Sequence, residues 1–242
     1  MIITRENIDI AGKEKNNTGK ALGFLFISSL LVPALNWAFI LSKFIAPENF
    51  VSTADNILAD KFMFRIAILN ETLTAVIIIL LSIALYQILK LVNNNLALTA
   101  FVFRLIDAFL TLVIAFVHLA ALQIMDNPDT FSTSSQELVK SVVGALLNNH
   151  VSLTSILGIF HGLGMLIFMY LLLKSKYIPG LLAGFGLVSY VFLFMYDLLV
   201  LVSPALLSNS ILQISALGPN LLFVTIAGFW LILKGLNIQK VA

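Results

Sequence analysis

The sequence predicts an all-α, polytopic membrane bundle of six transmembrane helices with short extracytoplasmic amphipathic helices. Three observations carry that expectation. Hydrophobic residues make up 60% of the 242 and charged residues only 11%; the mean hydropathy is +1.03. The apolar residues collect into six stretches, each long enough for the roughly 30 Å hydrocarbon core of a bilayer. The connections between them are more polar, three of them short and two longer. Such a composition excludes an ordinary water-soluble domain.

The first apolar stretch covers residues 21–41. The twenty residues before it are mixed in charge and run into it without a small-residue cleavage site, so a retained span is expected rather than a signal peptide. Pro33 and Asn36 near its far end predict a kink or a polar contact. The following KFIAPENFVSTADNILADK is too polar to cross. Ser52 or Thr53 is expected to cap a short helix there, with Ala54, Ile57 and Leu58 on one face, serving as a connecting turn or as a small lid. The second span, 62–90, carries Arg65 and Glu71. After it, LVNNN is so short that the third span, 96–125, must return beside the second as a helical hairpin. Arg104, Asp107 and His118 interrupt that third span; Arg104 and Asp107, three residues apart, share a face.

Between residues 126 and 150 a start signal at Ser134 or Ser135, followed by Glu137, precedes a broad apolar face. An amphipathic helix is expected, lying in the membrane interface or folded back over the bundle. The fourth and fifth spans, 153–173 and 178–202, are joined by a tight basic turn holding Lys174, Lys176 and Pro179. His161 lies near the middle of one, and Tyr190, with Tyr196 and Asp197, on the other. The sixth span, 211–233, contains Gly218-Pro219-Asn220, which is expected to break it so that it begins as a re-entrant or interfacial turn. Glycines in GIFHGLGM and GLLAGFGL offer small surfaces for close helix approach. One six-helix domain over residues 1–242 is the expected organisation.

Charge sets an orientation. The amino terminus, the Lys90 connection, the Lys174–Lys176 turn and the tail with Lys234 and Lys240 fall on one side of a six-span chain. Opposite them, Glu48, Asp55, Asp60, Asp126, Asp129 and Glu137 outnumber Lys43, Lys61 and Lys140. The positive-inside tendency puts both termini in the cytoplasm.

Several chemistries are excluded. The chain has no cysteine, which rules out disulfides, thiolate catalysis and thiolate-held metals. Histidine and carboxylate ligation stay open, so neither a metal nor a cofactor is assigned. The net charge of +2 includes no polybasic run, and no nucleic-acid partner is expected. No Walker loop, dinucleotide fingerprint, zinc-protease motif or nucleophile elbow occurs, and no internal repeat supports an inverted-repeat transporter.

What lipid does not explain is the set of polar residues inside the spans. One charged side chain near the bilayer centre costs about 2.5 to 3.5 kcal/mol on insertion scales, so these groups are expected to face inward and pair. Arg65, Glu71, His118, His161, Asp197 and Asn36 all fall in the outer half or near the midplane, which predicts one hydrated pocket; Tyr190 joins the candidates. Arg104 and Asp107 are the candidate internal ion pair, on the cytoplasmic side of centre. Each residue also has a plainer reading: Arg65 snorkelling to the surface, the histidines as neutral core residues, Asp197 as solvated.

The stretches LADKFMFRIAILNE, LALTAFVFRLIDAFL, GIFHGLGMLIFMYLLLKSKYIPGLLAGFGLVSY and GPNLLFVTIAGFWLILKGLN resemble a bacterial membrane family, domain of unknown function 4386, over nearly the whole chain. Arg65, Arg104, His161, Tyr177, Pro179 and Tyr190 fall where that pattern puts them; Gly180 departs from the arginine associated with its place. The resemblance implies a compact six-helix protein of a bacterial cytoplasmic membrane and implies no reaction.

Three functional readings follow from the residues. The leading one is a small module that binds or passes a small molecule or ion through the outer-half pocket, with Glu71, His161 and Arg65 as recognition groups and His118 and Asp197 at the rim. Another is an intramembrane enzyme acting on a lipid-like substrate, with His161 as general base or metal ligand. The third is a structural or regulatory membrane partner whose polar residues lock helices together. Membrane lipids surround the chain in all three.

Overall fold

A computed structural model describes residues 5–46, 49–126, 133–148 and 150–237, with side chains described from residue 17 onward except 133–137, 148 and 150–152. The expected positions Glu48, Asp129 and Lys240, and the side chains of Ser134, Ser135 and Glu137, lie outside the described residues. Every regular element among the described residues is a helix. Helix α1 (Arg5–Asn36) runs through a π turn (Trp37–Leu41) into α2 (Ser42–Phe44), and α3 (Phe50–Ala59) follows. Then come α4 (Lys61–Leu89), α5 (Asn94–Asp126), α6 (Thr133–Asn148), α7 (His150–Ser175) and α8 (Gly180–Val202). A 3-10 turn (Pro204–Ser208) leads into α9 (Ser210–Lys234).

Six of these helices are long and apolar enough to cross a membrane, spanning Asn17–Phe44, Lys61–Leu89, Asn94–Asp126, Leu153–Ser175, Gly180–Val202 and Ser210–Lys234. The protein is therefore a polytopic membrane protein. Its large exposed side chains, among them Phe24, Leu69, Leu80, Phe109, Phe116 and Phe229, point away from the bundle, which is the arrangement expected where lipid is the outer solvent. Inside, α1 packs on α4, α4 on α5, α5 on α7, α7 on α8, α8 on α9 and α9 back on α1. The six long helices thus close a ring.

Glycines bring parts of that ring into close contact. Gly158 and Gly162 form a small-x-x-x-small face on α7 against Asp197 and Phe194 of α8, while Gly164, turned towards α5, lies against the stem of Arg104. Gly23 of α1 meets the carbonyl of Gly228 on α9. Backbones approach this closely only where no Cβ intervenes.

Ends of helices follow local chemistry. The side chains of Asn49, Asp60, Asn93 and Asn209 accept hydrogen bonds from the backbone N–H of Ser52, Met63, Leu96 and Leu212, at 2.9 to 3.1 Å. Each is a standard N-cap acceptor. The cap of α3 is Asn49, which corrects the expectation of Ser52 or Thr53. Thr53 is buried within the helix and its hydroxyl accepts from the N–H of Ala46 instead, 2.9 Å away. At the opposite end of the bundle the α7–α8 turn is tied to the tail by the Asn237 N–H donating to the Tyr177 carbonyl, 2.9 Å.

Two prolines lie within long helices. Pro33 precedes the π turn of α1, and Asn36 beside it donates to the Ala67 carbonyl of α4, 3.2 Å away, so the expected polar contact is present. Pro219, in contrast, does not break the sixth span. Helix α9 runs unbroken from Ser210 to Lys234 with Pro219 inside it. A single proline removes one backbone hydrogen bond, and packing against neighbouring helices holds the rest of a membrane helix together.

Helices α3 and α6 pack on one another at one end of the bundle. Val143 and Leu147 of α6 join Ala54 and Ile57 of α3 in an apolar cluster over the ends of α4 and α5, Gly144 lies against the Phe50 backbone, and Lys140 pairs with Asp55 at 2.6 Å. Helix α6 is thus packed on α3 over the ends of α4 and α5, with Leu138, Val142 and Leu146 exposed on its other side.

Candidate functional site

The polar residues of the spans divide into three groups. The most buried is on α5 and α7. Arg104 and Asp107 are 1% and 0% exposed, and the guanidinium donates through Nη1 to Asp107 Oδ2 as the three-residue spacing requires. The same Nη1 contacts Nδ1 of His161, which also lies 3.1 Å from Asp107 Oδ2. With Arg104 donating, Nδ1 accepts and the imidazole proton belongs on Nε2. The expected ion pair is thus a three-membered cluster that ties α5 to α7. Gly164 allows it, because a Cβ there would lie 2.8 Å from Arg104 Cγ.

The second group joins α4 to α5: His118 Nδ1 is 2.9 Å from Glu71 Oε2, with His118 buried and Glu71 nearly so. The third lies where α4 begins and α5 ends. Asp126 pairs with Lys61 at 2.5 Å and with Arg65 at 3.3 Å, and the Arg65 side chain is half exposed. Arg65 accordingly stands apart from the other candidates.

A cavity of about 600 Å³ lies within the ring. Its polar wall is built from Glu71 on α4, Arg104 and Asp107 on α5, His161 on α7 and Asp197 on α8, with Asn36 of α1 at its side. Ile78, Ile114, Leu157, Trp37 and Leu217 supply apolar wall. It occupies the half of the bundle that holds the π turn of α1, the start of α7 and the start of α9, away from the α7–α8 turn. Every one of the six long helices contributes to it.

The cavity takes in Glu71, His161 and Asp197, and with them Arg104 and Asp107. It does not take in Arg65, His118 or Tyr190. His118 reaches it only through Glu71. Tyr190 lies beside the His161 ring, with centroids 5.8 Å apart, and edge-on to Phe223 at 5.9 Å, buried beneath the polar wall. Thr74 and Thr111 also line the cavity without having been singled out in the sequence. Their signal was present: Glu71, Thr74 and Ile78 on α4, and Arg104, Asp107, Thr111 and Ile114 on α5, follow three- and four-residue spacings that make one face of a helix.

Several lining atoms lack partners. Oδ1 of Asp107, Oδ1 of Asn36 and Nε of Arg104 are buried without a hydrogen bond, and Asp197 has neither a hydrogen-bond nor an ion-pair partner among the described residues. Buried groups of this kind are uncommon unless water or a ligand completes them. Among the described residues no group of three or more histidines and carboxylates is arranged to hold a metal ion.

A family model described as "Domain of unknown function (DUF4386)" matches residues 21–235. No curated protein and no solved structure matches the chain.

Proposed function

The chain belongs to the DUF4386 family, whose description defines no activity, and from the geometry of the cavity we propose that the protein binds a small molecule inside its membrane bundle. The observation that carries this reading is the cavity of about 600 Å³ whose wall holds Glu71, Arg104, Asp107, His161 and Asp197, from four helices. That volume is in the range of small-ligand sites, which pair mostly apolar walls with a few converging polar groups. Helices serving only to lock a bundle gain nothing from leaving acceptors unpaired around a void. Arg65, expected as a recognition group, has a different place in this reading: with Lys61 and Asp126 it anchors the α4–α5 end.

The orientation that goes with the proposal puts both termini and the basic turns in the cytoplasm of a bacterial cell, as lysine and arginine placement favours. Helices α3 and α6 then lie outside, and the cavity occupies the outer half of a single six-helix domain. Ligand entry and any passage across the membrane would start from that side.

The test is an experimental structure in lipid nanodiscs, paired with Leu157→Trp to fill the cavity. Non-protein density touching His161 and Glu71, absent from the tryptophan variant, is the expected result. A bundle collapsed around the Arg104–Asp107–His161 cluster, with no void in either protein, overturns the proposal.

One observation favours a second reading, an intramembrane enzyme acting on a lipid-like substrate. His161 has its Nδ1 held by the Arg104 guanidinium, and its Nε2–H has no partner among the described residues, an arrangement that orients an imidazole to give a proton to a bound substrate. Turnover of a bound lipid lost in His161→Gln, with binding retained, would support that reading over simple binding.

A further inference from the structure

The charges around the cavity do not balance, and the imbalance specifies a kind of ligand. Three carboxylates reach the wall. Glu71 is answered by His118 at 2.9 Å and Asp107 by Arg104. Asp197 is answered by nothing among the described residues, although its carboxylate is packed against Gly158 of α7, where an added Cβ would collide with it. Gly158 therefore leaves room for a carboxylate that the fold does not itself neutralise.

Acceptors without partners stand in the same wall. Asp107 Oδ1 and Asn36 Oδ1 are buried and without a partner in residues that are 0% and 2% exposed. The hydroxyls of Thr74 and Thr111 already donate to the carbonyls of Asn70 and Asp107, at 2.9 and 3.0 Å, so they face the cavity as acceptors. Donors reach the wall too, among them Nε2 of His161, the N–H groups of Arg104 not used on Asp107 and His161, the Tyr196 hydroxyl and the Gln213 amide, but the one fixed positive charge among them, on Arg104, is already committed to Asp107. Water can fill such a space, but it cannot neutralise a carboxylate in a low-dielectric wall.

We propose that the cavity takes an organic cation, an ammonium-type ligand carrying an apolar group, with its charged head on Asp197 and its N–H donors shared with Asp107 Oδ1 and Asn36. The apolar group lies against Ile78, Ile114 and Leu157. Apolar walls and an uncompensated carboxylate together select for a molecule that is charged at one end and hydrophobic at the other. This rests on the reading of the cavity as a binding site and names the chemistry of its occupant. Neutral lipids and anionic head groups are disfavoured by the same groups, since an anion would face Asp197, Asp107 and Glu71 together.

The probes are three near-isosteres, 2-phenylethylammonium, 2-phenylethanol and 3-phenylpropanoate, titrated calorimetrically into the full chain in nanodiscs, with empty nanodiscs as the blank. The ammonium compound is expected to bind most tightly. Asp197→Asn, which keeps the side chain's shape against Gly158, is expected to weaken it about tenfold or more, as for loss of a charge-assisted hydrogen bond; Leu157→Trp is expected to abolish it. Preference for the alcohol or the carboxylate, lost in Leu157→Trp, overturns the cationic ligand while leaving the binding site standing. Equal affinity of the ammonium compound for wild type and a folded Asp197→Asn overturns it as well. Absence of binding by all three to folded wild-type protein overturns it too, and the nanodisc density then decides separately whether the cavity binds anything.

Discussion

At the scale of single residues the structure distinguishes buried charges from exposed ones that a hydropathy profile treats alike. Asp107 and Arg65 are both charged residues within apolar spans, yet one is fully buried against a guanidinium and the other is half exposed beside Asp126. Removing one member of a buried pair leaves the other charge uncompensated, at a cost of about 3 to 5 kcal/mol, whereas an exposed pair is worth about 1 kcal/mol or less. Asp107→Leu is therefore expected to lower thermal stability in detergent sharply and Arg65→Ala hardly at all. The double variant Arg104→Met with Asp107→Leu should recover much of the loss, because it removes both desolvated charges; if it is no more stable than Asp107→Leu alone, the pair is not what holds this region. The sequence made the depth of these residues legible, since lipid penalises any charge in a span. It did not make their partners legible. Whether Glu71 meets Arg104 or His118, both on α5, depends on how α4 is rotated against α5, and the cost of burying a charge says nothing about rotation.

At the scale of helices, α1 and α9 share a register that glycine sets. Gly23 lies against Gly228, where an added Cβ would come within 2.5 Å of a backbone carbonyl oxygen that cannot turn aside. Gly184 on α8 has nothing within 4 Å of its Cβ position. Gly23→Leu is expected to separate the two helices and to cost about 1 to 3 kcal/mol, the usual range for overpacking. Gly184→Ala is expected to change nothing or to stabilise slightly, by up to about 1 kcal/mol of helix propensity. Thermal unfolding of both variants in one detergent makes the comparison, and an equal loss in the two would remove the close approach as an explanation. Ten residues along α1 from Gly23 stands Pro33, and ten residues back along α9 from Gly228 stands Gly218, next to Pro219. The two prolines thus fall at a similar level, about 15 Å from the glycine contact at 1.5 Å per residue. Pro219→Ala restores an N–H for the Ser215 carbonyl and is expected to raise the unfolding temperature, by an amount corresponding to about 1 kcal/mol. By itself the Gly-Pro-Asn run predicts a break, because a proline ends helices in water. In α9 the neighbouring helices α8 and α1 hold the segment helical past it, and such tertiary packing leaves no local mark in the sequence.

For the whole molecule, the number and order of spans were legible because apolar length and lysine placement act over tens of residues, and the helical hairpin of α4 and α5 followed from the length of one connection. Closure of the ring by α1 on α9 was not, since it joins the two ends of the chain. Closure has a consequence for topology. The Asn237–Tyr177 hydrogen bond and the proximity of Gly19 to Gly235 hold the tail, the α7–α8 turn and the start of the first span at one end of the bundle. These parts must therefore share one side of the membrane, whichever side that is. Lysines and arginines favour the cytoplasm, and the absence of cysteine makes the point directly measurable, because every introduced thiol is the only one. Asn95→Cys, exposed at the start of α5 by the Lys90 turn, and Ser208→Cys, exposed on the 3-10 turn before α9, sit at opposite ends of the bundle. In intact bacterial cells a membrane-impermeant maleimide is expected to label Ser208→Cys and to reach Asn95→Cys only after the membrane is opened. The reverse pattern would invert the protein and place the mouth of the cavity in the cytoplasm. An organic cation would then meet Asp197 from the cell interior, against rather than along the membrane potential, which at about 2.3 kcal/mol per charge per 100 mV decides the direction in which such a ligand is drawn.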